Sequence, residues 1–381
     1  MSNPPSIPPT VDFNRSPFLV LWELTRACAL ACQHCRARAI RQRNPYELST
    51  AEGALLLKRL QEFGRPLIVL TGGDPIQRPD VFELIEEARR CGFKVAMTPS
   101  ATASVTRDIV RKLKKAGLER IAVSLDGPDA ETHDAFRRVR GSFEWSKSIL
   151  SWAREFDLPI QINTTICRHN LARFEEMTAL AAELGAVLWS AFFLVVVGRA
   201  RSEMQITAGE AEAVLERMAD LAQTAPYDVK ATAAPHFRRV LIQKYVGADA
   251  APAAALTAPV ARARSNAEQG KVRQLDSALR LGALRSYQSV NDGKGLLFIS
   301  DTGDIQPSGF LPVVAGNVRT DDVVSIYRNS ELFRTLREPG LLKGKCGTCR
   351  FRAVCGGSRA RAYGETGDYM AQDNLCSYYD Q

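Results

Sequence analysis

Residues 18–37 read FLVLWELTRACALACQHCRA: an apolar run of β type, Phe18–Thr25, passes directly into Cys28-x3-Cys32-x2-Cys35. Three thiols on one short loop have the spacing of metal ligands rather than of a disulfide framework. Each can ligate one iron of a [4Fe-4S] cube, which leaves the fourth iron without a protein ligand. A closed zinc site needs a fourth donor, and His34 is the candidate within the loop. Adjacent His34 and Cys35 cannot easily both reach one ion, so the spacing favours the iron cube.

Working outward, the pattern of that first strand repeats. Strands are expected at Phe18–Thr25, Pro66–Thr71, Lys94–Thr98, Arg120–Ser124, Pro159–Thr165 and Val187–Val195. The segments Thr50–Phe63, Pro79–Cys91, Thr106–Ala116, Ser142–Phe156 and Leu171–Leu184 carry apolar residues at helical spacing. Alternating strand and helix predicts an α/β fold with a parallel sheet. Six units rather than eight predict an open, partial (β/α)6 TIM-like barrel, with its chemistry at the C-terminal ends of the strands. A further helix is expected at Ala208–Thr224. Beyond it, GADAAPAAALTAP (Gly247–Pro259) and the basic stretch holding Arg262, Arg264, Lys271, Arg273, Arg280 and Arg285 lack periodicity. The expected organisation is an N-terminal extension (1–17), a barrel (18–225), a helical or flexible Arg- and Ala-rich insertion (226–292) and a small Cys-rich C-terminal domain (293–381). That last domain opens with a hairpin turning at Asp301-Thr302-Gly303.

The chain has 381 residues, 45% hydrophobic and 24% charged, which excludes a disordered or collagen-like protein. Its net charge of +8 is spread along the chain, so nucleic acid is not the expected partner. No apolar run approaches the roughly 18–20 residues of a membrane span, and the first residues lack a secretory signal, so a cytoplasmic protein is expected. Nine cysteines, an odd number, also argue against disulfides. Cys91 and Cys167 are isolated and read as small buried hydrophobes. Cys346-x2-Cys349-x5-Cys355-x20-Cys376 supplies four thiolates, enough to close either an iron–sulfur cluster or a zinc ion.

The first cysteine loop, on a strand of such a barrel, resembles the signature of the radical S-adenosylmethionine (SAM) superfamily. The resemblance covers about Phe18–Val197. It implies that Cys28, Cys32 and Cys35 hold a [4Fe-4S] cluster whose open iron chelates SAM, and that one electron cleaves SAM to a 5′-deoxyadenosyl radical. Thr71-Gly72-Gly73-Asp74-Pro75 is similar to the family's GGE motif, with Asp for Glu. It implies that Gly72, Gly73 and Asp74 receive the SAM amino group. Ser124-Leu125-Asp126-Gly127, with His133-Asp134 and Arg137 beyond, resembles a segment of the same family, implying that Ser124, Asp126 and Arg137 contact the ribose or carboxylate of SAM. Asn163 on the fifth strand joins them from the same face. His133 and His169 read as capping or surface residues.

The second cysteine group resembles the SPASM/twitch extension of these enzymes, and with it the choice falls on one auxiliary [4Fe-4S] cluster. The full SPASM pattern carries further cysteines where this chain has Ser308 and Arg359, so a reduced, twitch-like domain is implied. Four protein ligands leave that cluster no open iron, which favours electron relay or structural support. His34-Cys35-Arg36-Ala37 is similar to radical SAM enzymes that modify tetrapyrrole side chains, polyanions that suit a basic insertion. Peptide maturation with a separate leader-binding partner is the alternative, since the residues before Phe18 are too few for a leader-binding module. From another class, a non-enzymatic iron–sulfur sensor or zinc scaffold has no need of a ligand-facing Gly-Gly-Asp. The expected partners are a small-molecule or peptide substrate and a low-potential donor such as flavodoxin or ferredoxin.

Overall fold

The computed structural model describes residues 11–245, 247 and 290–379. Seven parallel strands are laid side by side in chain order: β1 (Leu19–Glu23), β2 (Leu67–Thr71), β3 (Val95–Met97), β4 (Arg120–Ser124), β5 (Ile160–Ile166), β6 (Leu188–Phe193) and β7 (Asp228–Thr232). The helices between them are α1 (Thr50–Leu60), α2 (Val81–Arg90), α3 (Arg107–Lys115), α4 (Ala130–Arg137), α5 (Ser142–Glu155), α6 (Phe174–Glu183) and α7 (Ala208–Thr224), with α8 (Phe237–Tyr245) after β7. Starts are set locally. Ser49 with Glu52, and Thr207 with Glu210, form capping boxes that satisfy the first free amides of α1 and α7.

The six predicted strands are all present, and the sheet extends past both of its expected edges. The stretch read as an insertion from residue 226 begins with β7, which pairs in parallel with β6 from Leu188↔Asp228 to Phe192↔Thr232, and continues into α8. On the other edge, β8 (Leu296–Ile299) pairs in parallel with β1, and β9 (Asp304–Gln306) and β10 (Gly316–Asn317) follow antiparallel. The β8–β9 hairpin turns at the expected residues. The boundary expected at residue 293 is therefore crossed by one continuous ten-stranded sheet. The described part of the N-terminal extension packs too: Phe13 is buried, and its carbonyl accepts a 2.9 Å hydrogen bond from the Tyr327 hydroxyl. The basic stretch Arg262–Arg285 lies outside the described residues. The C-terminal part adds α9 (Val323–Asn329), α10 (Glu331–Arg337), α11 (Gly344–Thr348) and α12 (Arg359–Thr366).

Strand alternation sorts the side chains into two layers. Val20, Trp22, Ile68, Leu70, Ile121, Val123, Ile160, Ile162, Trp189 and Val229 join Leu56, Leu57, Leu84, Ile149, Leu215 and Met218 of the helices in one apolar core. The alternate residues, among them Glu23, Thr71, Arg120, Ser124, Asn163, Ser190, Phe192 and Lys230, face the concave side and line a polar lumen. Among the described residues no helix is long and apolar enough to cross a membrane.

Candidate active site

The cysteine loop leaves β1 and is closed at its base by a bridge between Ala27 and Ile40, where the Cys28 amide donates to the Ile40 carbonyl at 2.8 Å. Its far side hangs on the end of α4. The last carbonyls of a helix lack intrahelical partners, and here the amides of Ala31 and Gln33 donate to the carbonyls of Arg137 and Phe136. Every sulfur of the loop meets a donor. Cys28 Sγ accepts from the Leu30 amide at 3.3 Å and lies 3.2 Å from the Ser100 hydroxyl. Cys35 Sγ accepts from the Ala39 amide at 3.4 Å, and Cys32 Sγ from Arg137 Nη1 at 3.6 Å. Donors directed at all three sulfurs suit thiolates rather than thiols, so the loop fits the cluster that the spacing predicts. Burial, the largest influence, pushes the thiols of Cys28 and Cys32 above their ordinary range, so cluster binding must displace their protons. His34 is no fourth ligand here: its ring stacks on Phe136 at 4.3 Å, and burial lowers its pKa to about 3.

The Gly-Gly-Asp segment follows β2 and lies directly against this loop. A Cβ on Gly72 would sit 2.4 Å from the Thr25 carbonyl, and one on Gly73 would sit 2.5 Å from those of Arg26 and Ala27. The glycines are thus required by chain-to-chain approach, where the sequence pointed to approach of a ligand. Asp74 also has a different place from the one expected. It is wholly buried, and its carboxylate accepts from the amides of Ile76 and Ser100 and from Gln77 instead of opening toward an ammonium group. Burial raises its pKa to about 6. Ser100, which the sequence did not single out, ties the parts together: its hydroxyl donates to the Gly73 carbonyl at 2.7 Å and touches Cys28.

Ser124 and Asn163 stand side by side in the β4–β5 register on the lumen face, as expected. Asp126 and Arg137 do not join them. Asp126 is fully buried; Oδ1 accepts from the Thr165 amide at 2.7 Å and Oδ2 from Arg137 Nε at 2.6 Å. Burial pushes the Asp126 carboxyl up, but Arg137, His34, His133 and the Thr165 amide together outweigh it and hold the carboxyl below the usual carboxylate range. The guanidinium in turn reaches Cys32, so this pair serves the cysteine loop. His133, expected at a cap or surface, is buried, and its Nδ1 accepts from the Asp126 amide at 3.1 Å. His169 is exposed, as expected, bonded to the Thr132 carbonyl. Cys167 is buried and Cys91 half-buried.

The C-terminal cysteines gather beneath α8. Cys346 Sγ accepts from the Asp373 amide at 3.4 Å, and Cys355 Sγ from the Gly357 amide at 3.4 Å. Burial raises the Cys355 pKa, and the nearness of Cys376 and Cys346 raises it further. Cys349 and Cys355 pack with Ile242, Phe351, Val354 and Tyr378. Ser308 and Arg359, at the positions where a second auxiliary cluster would need thiolates, are both buried in hydrogen bonds. Ser308 Oγ accepts from the amides of Phe310 and Leu311, and Arg359 Nη1 donates to the carbonyls of Tyr369 and Ala371. Among the described residues no three His, Cys, Asp or Glu side chains converge on a single metal ion.

Between the two cysteine groups the lumen carries aromatic and charged walls. Phe192 of β6 meets Phe310 with ring centroids 6.3 Å apart, and Arg36 stacks over Phe298 of β8 at 4.8 Å while pairing with Glu23. Asp301, just past β8, is raised to about 6 by burial and by the neighbouring carboxylates of Glu23 and Glu47.

Residues 22–181 match the Radical SAM superfamily. The chain is 41% identical over 362 residues to the AdoMet-dependent heme synthase of Nitratidesulfovibrio vulgaris, covering 94% of this chain and 92% of that protein. It is 36% identical over 372 residues to the protein of the same name from Methanosarcina barkeri, covering 97% and 98%. Among solved structures, SuiB of Streptococcus suis bound to its precursor peptide SuiA has the same fold, with a TM-score of 0.69 at 16% identity over 96% of this chain and 76% of that one. The motifs after β1 and β2, the partial barrel and the full-length similarity agree: the chain belongs to the radical SAM superfamily and is an enzyme that uses a [4Fe-4S] cluster and S-adenosylmethionine.

Proposed function

We propose that this enzyme modifies the side chains of an iron tetrapyrrole, removing the carboxyl group of a propionate to leave a vinyl. The observation that carries this reading is the similarity along nearly the whole of both chains to two proteins named as heme synthases. The lumen supports it, because aromatic faces beside cationic side chains suit a flat, polyanionic macrocycle. Cys28, Cys32 and Cys35 hold the cluster; when bound, cluster and SAM supply the radical that abstracts hydrogen. The backbone of Gly72 and Gly73, with Ser124 and Asn163 across the lumen, contacts SAM. Arg137, Asp126 and Asp74 act one step back, fixing the loop and its charge. For each propionate, one hydrogen atom leaves to the radical, the carboxylate leaves as carbon dioxide, and one electron passes to an acceptor. Cys346, Cys349, Cys355 and Cys376 hold one auxiliary [4Fe-4S] cluster, for which we assign electron relay. A flavodoxin or ferredoxin supplies the reducing electron.

The test uses anaerobically reconstituted protein, SAM, dithionite and iron coproporphyrin III. The expected result is about eight irons per chain, a shifted Soret band on mixing, 5′-deoxyadenosine and a product lighter by carbon dioxide and two hydrogens for each propionate converted. SAM cleavage with no Soret shift and no porphyrin product would overturn the substrate and leave peptide maturation to be tried.

A further inference from the structure

We infer that the exposed face of the cysteine loop, with Arg38, Arg41, Arg138 and Arg140, is the docking surface for a small acidic electron-carrier protein. The inference rests on the reading above that a flavodoxin or ferredoxin supplies the reducing electron, and it names where that carrier binds.

Two segments build the surface. The cysteine loop supplies Arg38 and Arg41, and the turn after α4 supplies Arg138 and Arg140. The amides of Ala31 and Gln33, bonded to the carbonyls of Arg137 and Phe136, lock the two segments together. In each segment one apolar residue turns inward: Ala39 and Val139 pack against Cys28, Leu30 and Cys32. The arginines beside them are exposed, as are Ala29 and Ile40. Arg41 Nη1 donates to the Ala29 carbonyl at 3.1 Å, and Arg38 Nε to the Gly198 carbonyl at 3.1 Å, so both side chains are held against the protein. Ile40, 42% exposed, places an apolar side chain among these cations. An apolar centre within a polar, charged rim is the anatomy of a protein interface.

Three observations point to an acidic partner. First, the charge of the surface is uncompensated. From Arg26 to Tyr46 the sequence holds no Asp or Glu, and none of the four guanidiniums has an ion-pair partner among the described residues. The last carboxylate of α4, Asp134, is taken up by the amides of Gly141 and Phe143 and the hydroxyl of Ser142. Gathering like charges is unfavourable alone and becomes favourable against a complementary negative surface. Secondly, Arg38 and Arg138 have φ of 47° and 55°, the left-handed region that favours glycine. A long cation stands at each position despite that backbone cost. Thirdly, the surface adjoins the core site. Arg138 follows Arg137, whose Nη1 lies 3.6 Å from Cys32 Sγ, and Val139 touches the cysteines themselves. A carrier seated here gives up one electron to the core cluster across a single layer of residues, and no bond is made or broken in that step.

The experiment measures 5′-deoxyadenosine formation by the cluster-loaded protein with SAM, driven in separate arms by reduced flavodoxin, reduced ferredoxin and dithionite. With a protein carrier, the wild-type rate should fall as salt is raised. The double variant Arg138→Gln with Arg140→Gln should lower kcat/KM for the carrier about tenfold at low salt and flatten its salt dependence. Its dithionite-driven rate, iron content, melting temperature and core-cluster midpoint potential should match the wild type, and Arg138→Lys with Arg140→Lys should restore the carrier-driven rate. Lys58→Gln with Lys115→Gln is the control of equal charge, since these lysines lie in the last turns of α1 and α3, at the opposite end of the barrel, and it should leave the rate unchanged. Equal carrier-driven rates in the wild type and the arginine variant, or an equal loss in the lysine control, would overturn the docking surface while leaving the carrier reading intact. A wild type driven by dithionite but by neither carrier would overturn the carrier reading, and the docking surface with it.

Discussion

Arg137 Nη1 lies 3.6 Å from the sulfur of Cys32, while its Nε bonds Asp126 at 2.6 Å. A buried carboxylate thus orients a guanidinium onto a cluster ligand. Burial works against the guanidinium's charge, but Asp126 and Cys32 beside it hold its pKa above the ordinary value, so it stays charged. A positive charge at a thiolate stabilises the more negative, reduced cluster. Losing a charge-assisted hydrogen bond costs on the order of 1.5–3 kcal/mol, and about 1.4 kcal/mol corresponds to about 60 mV for one electron. Arg137→Gln should therefore lower the midpoint potential of the core cluster by roughly 60 mV or more. Redox titration followed by EPR reads this; an unchanged potential would mean that Arg137 only props the loop.

The contacts of Gly73 predict a steep steric penalty. A methyl group there meets two backbone carbonyls at 2.5 Å, neither of which can swing aside as a side-chain tip can. Overpacking of this kind costs about 1–3 kcal/mol or more. Gly73→Ala should lower the melting temperature by several degrees and reduce the iron bound after reconstitution. Gly209 in the first turn of α7 is the control, since nothing lies within 4 Å of its added methyl. Gly209→Ala should be neutral or stabilise by up to about 1 kcal/mol. Equal iron content in both variants would remove the argument for close approach.

Three histidines make the protein acid-sensitive. Burial is the largest influence on each, lowering His236 and His133 to about 4 and His34 to about 3, from 6.5. The folded values lie below the unfolded ones, so from about pH 4 to 6.5 the unfolded chain binds more protons and stability rises with pH. Asp74 and Asp301, raised by burial from 3.8 to about 6, and Asp292, also raised by burial, act in the opposite sense over an overlapping range. The part of one histidine is therefore read by difference: between pH 5 and 6.5 the melting temperature should gain less with rising pH in His236→Phe than in the wild type, because both ring nitrogens of His236 are buried without partners among the described residues. Identical slopes would show that His236 is not among the groups responsible.

The parts of this molecule that could be read in the sequence are those whose signal is local. Strands β1–β6 are short apolar runs bounded by turn residues, and the cysteine spacings are ligand spacings wherever they occur. Strand β7 reads DVKAT: Val229 and Ala231 alone face the core, and Asp228, Lys230 and Thr232 face the lumen, so its polar half hid it within a stretch of mixed composition. The pairing of β8 with β1 joins residues nearly three hundred positions apart, which no local pattern encodes. Asp74, Asp126 and Arg137 are a different case. A polar residue at a strand end points to a ligand beside it, and these three bond the chain's own amides and sulfur. The residue type was informative, and its direction depended on the end of α4 and the Ser100 loop.

A buried ion pair joins the auxiliary cysteines to the barrel. Arg361 and Asp373 form a wholly buried ion pair at 3.1 Å. Arg361 Nη2 also donates to the carbonyls of Ala233, at 2.7 Å, and of Phe193 at the end of β6. Asp373 accepts from the Ser358 amide, and its own amide donates to Cys346 Sγ. One pair therefore connects a barrel strand, the turn before α8 and an auxiliary ligand. Removing one partner of a buried pair typically costs about 3–5 kcal/mol, because the other charge is stranded. Arg361→Met should strand Asp373 beside Cys346, and with it the auxiliary site should fail before the core site, which has its own supports in Arg137 and Ser100. The expected result is iron falling from about eight to about four per chain, with the SAM-perturbed EPR signal of the core cluster retained. Loss of both clusters together would show that the C-terminal part and the barrel fold as one unit, as their shared sheet permits; retention of both would show that the pair is not what holds the auxiliary cysteines in place.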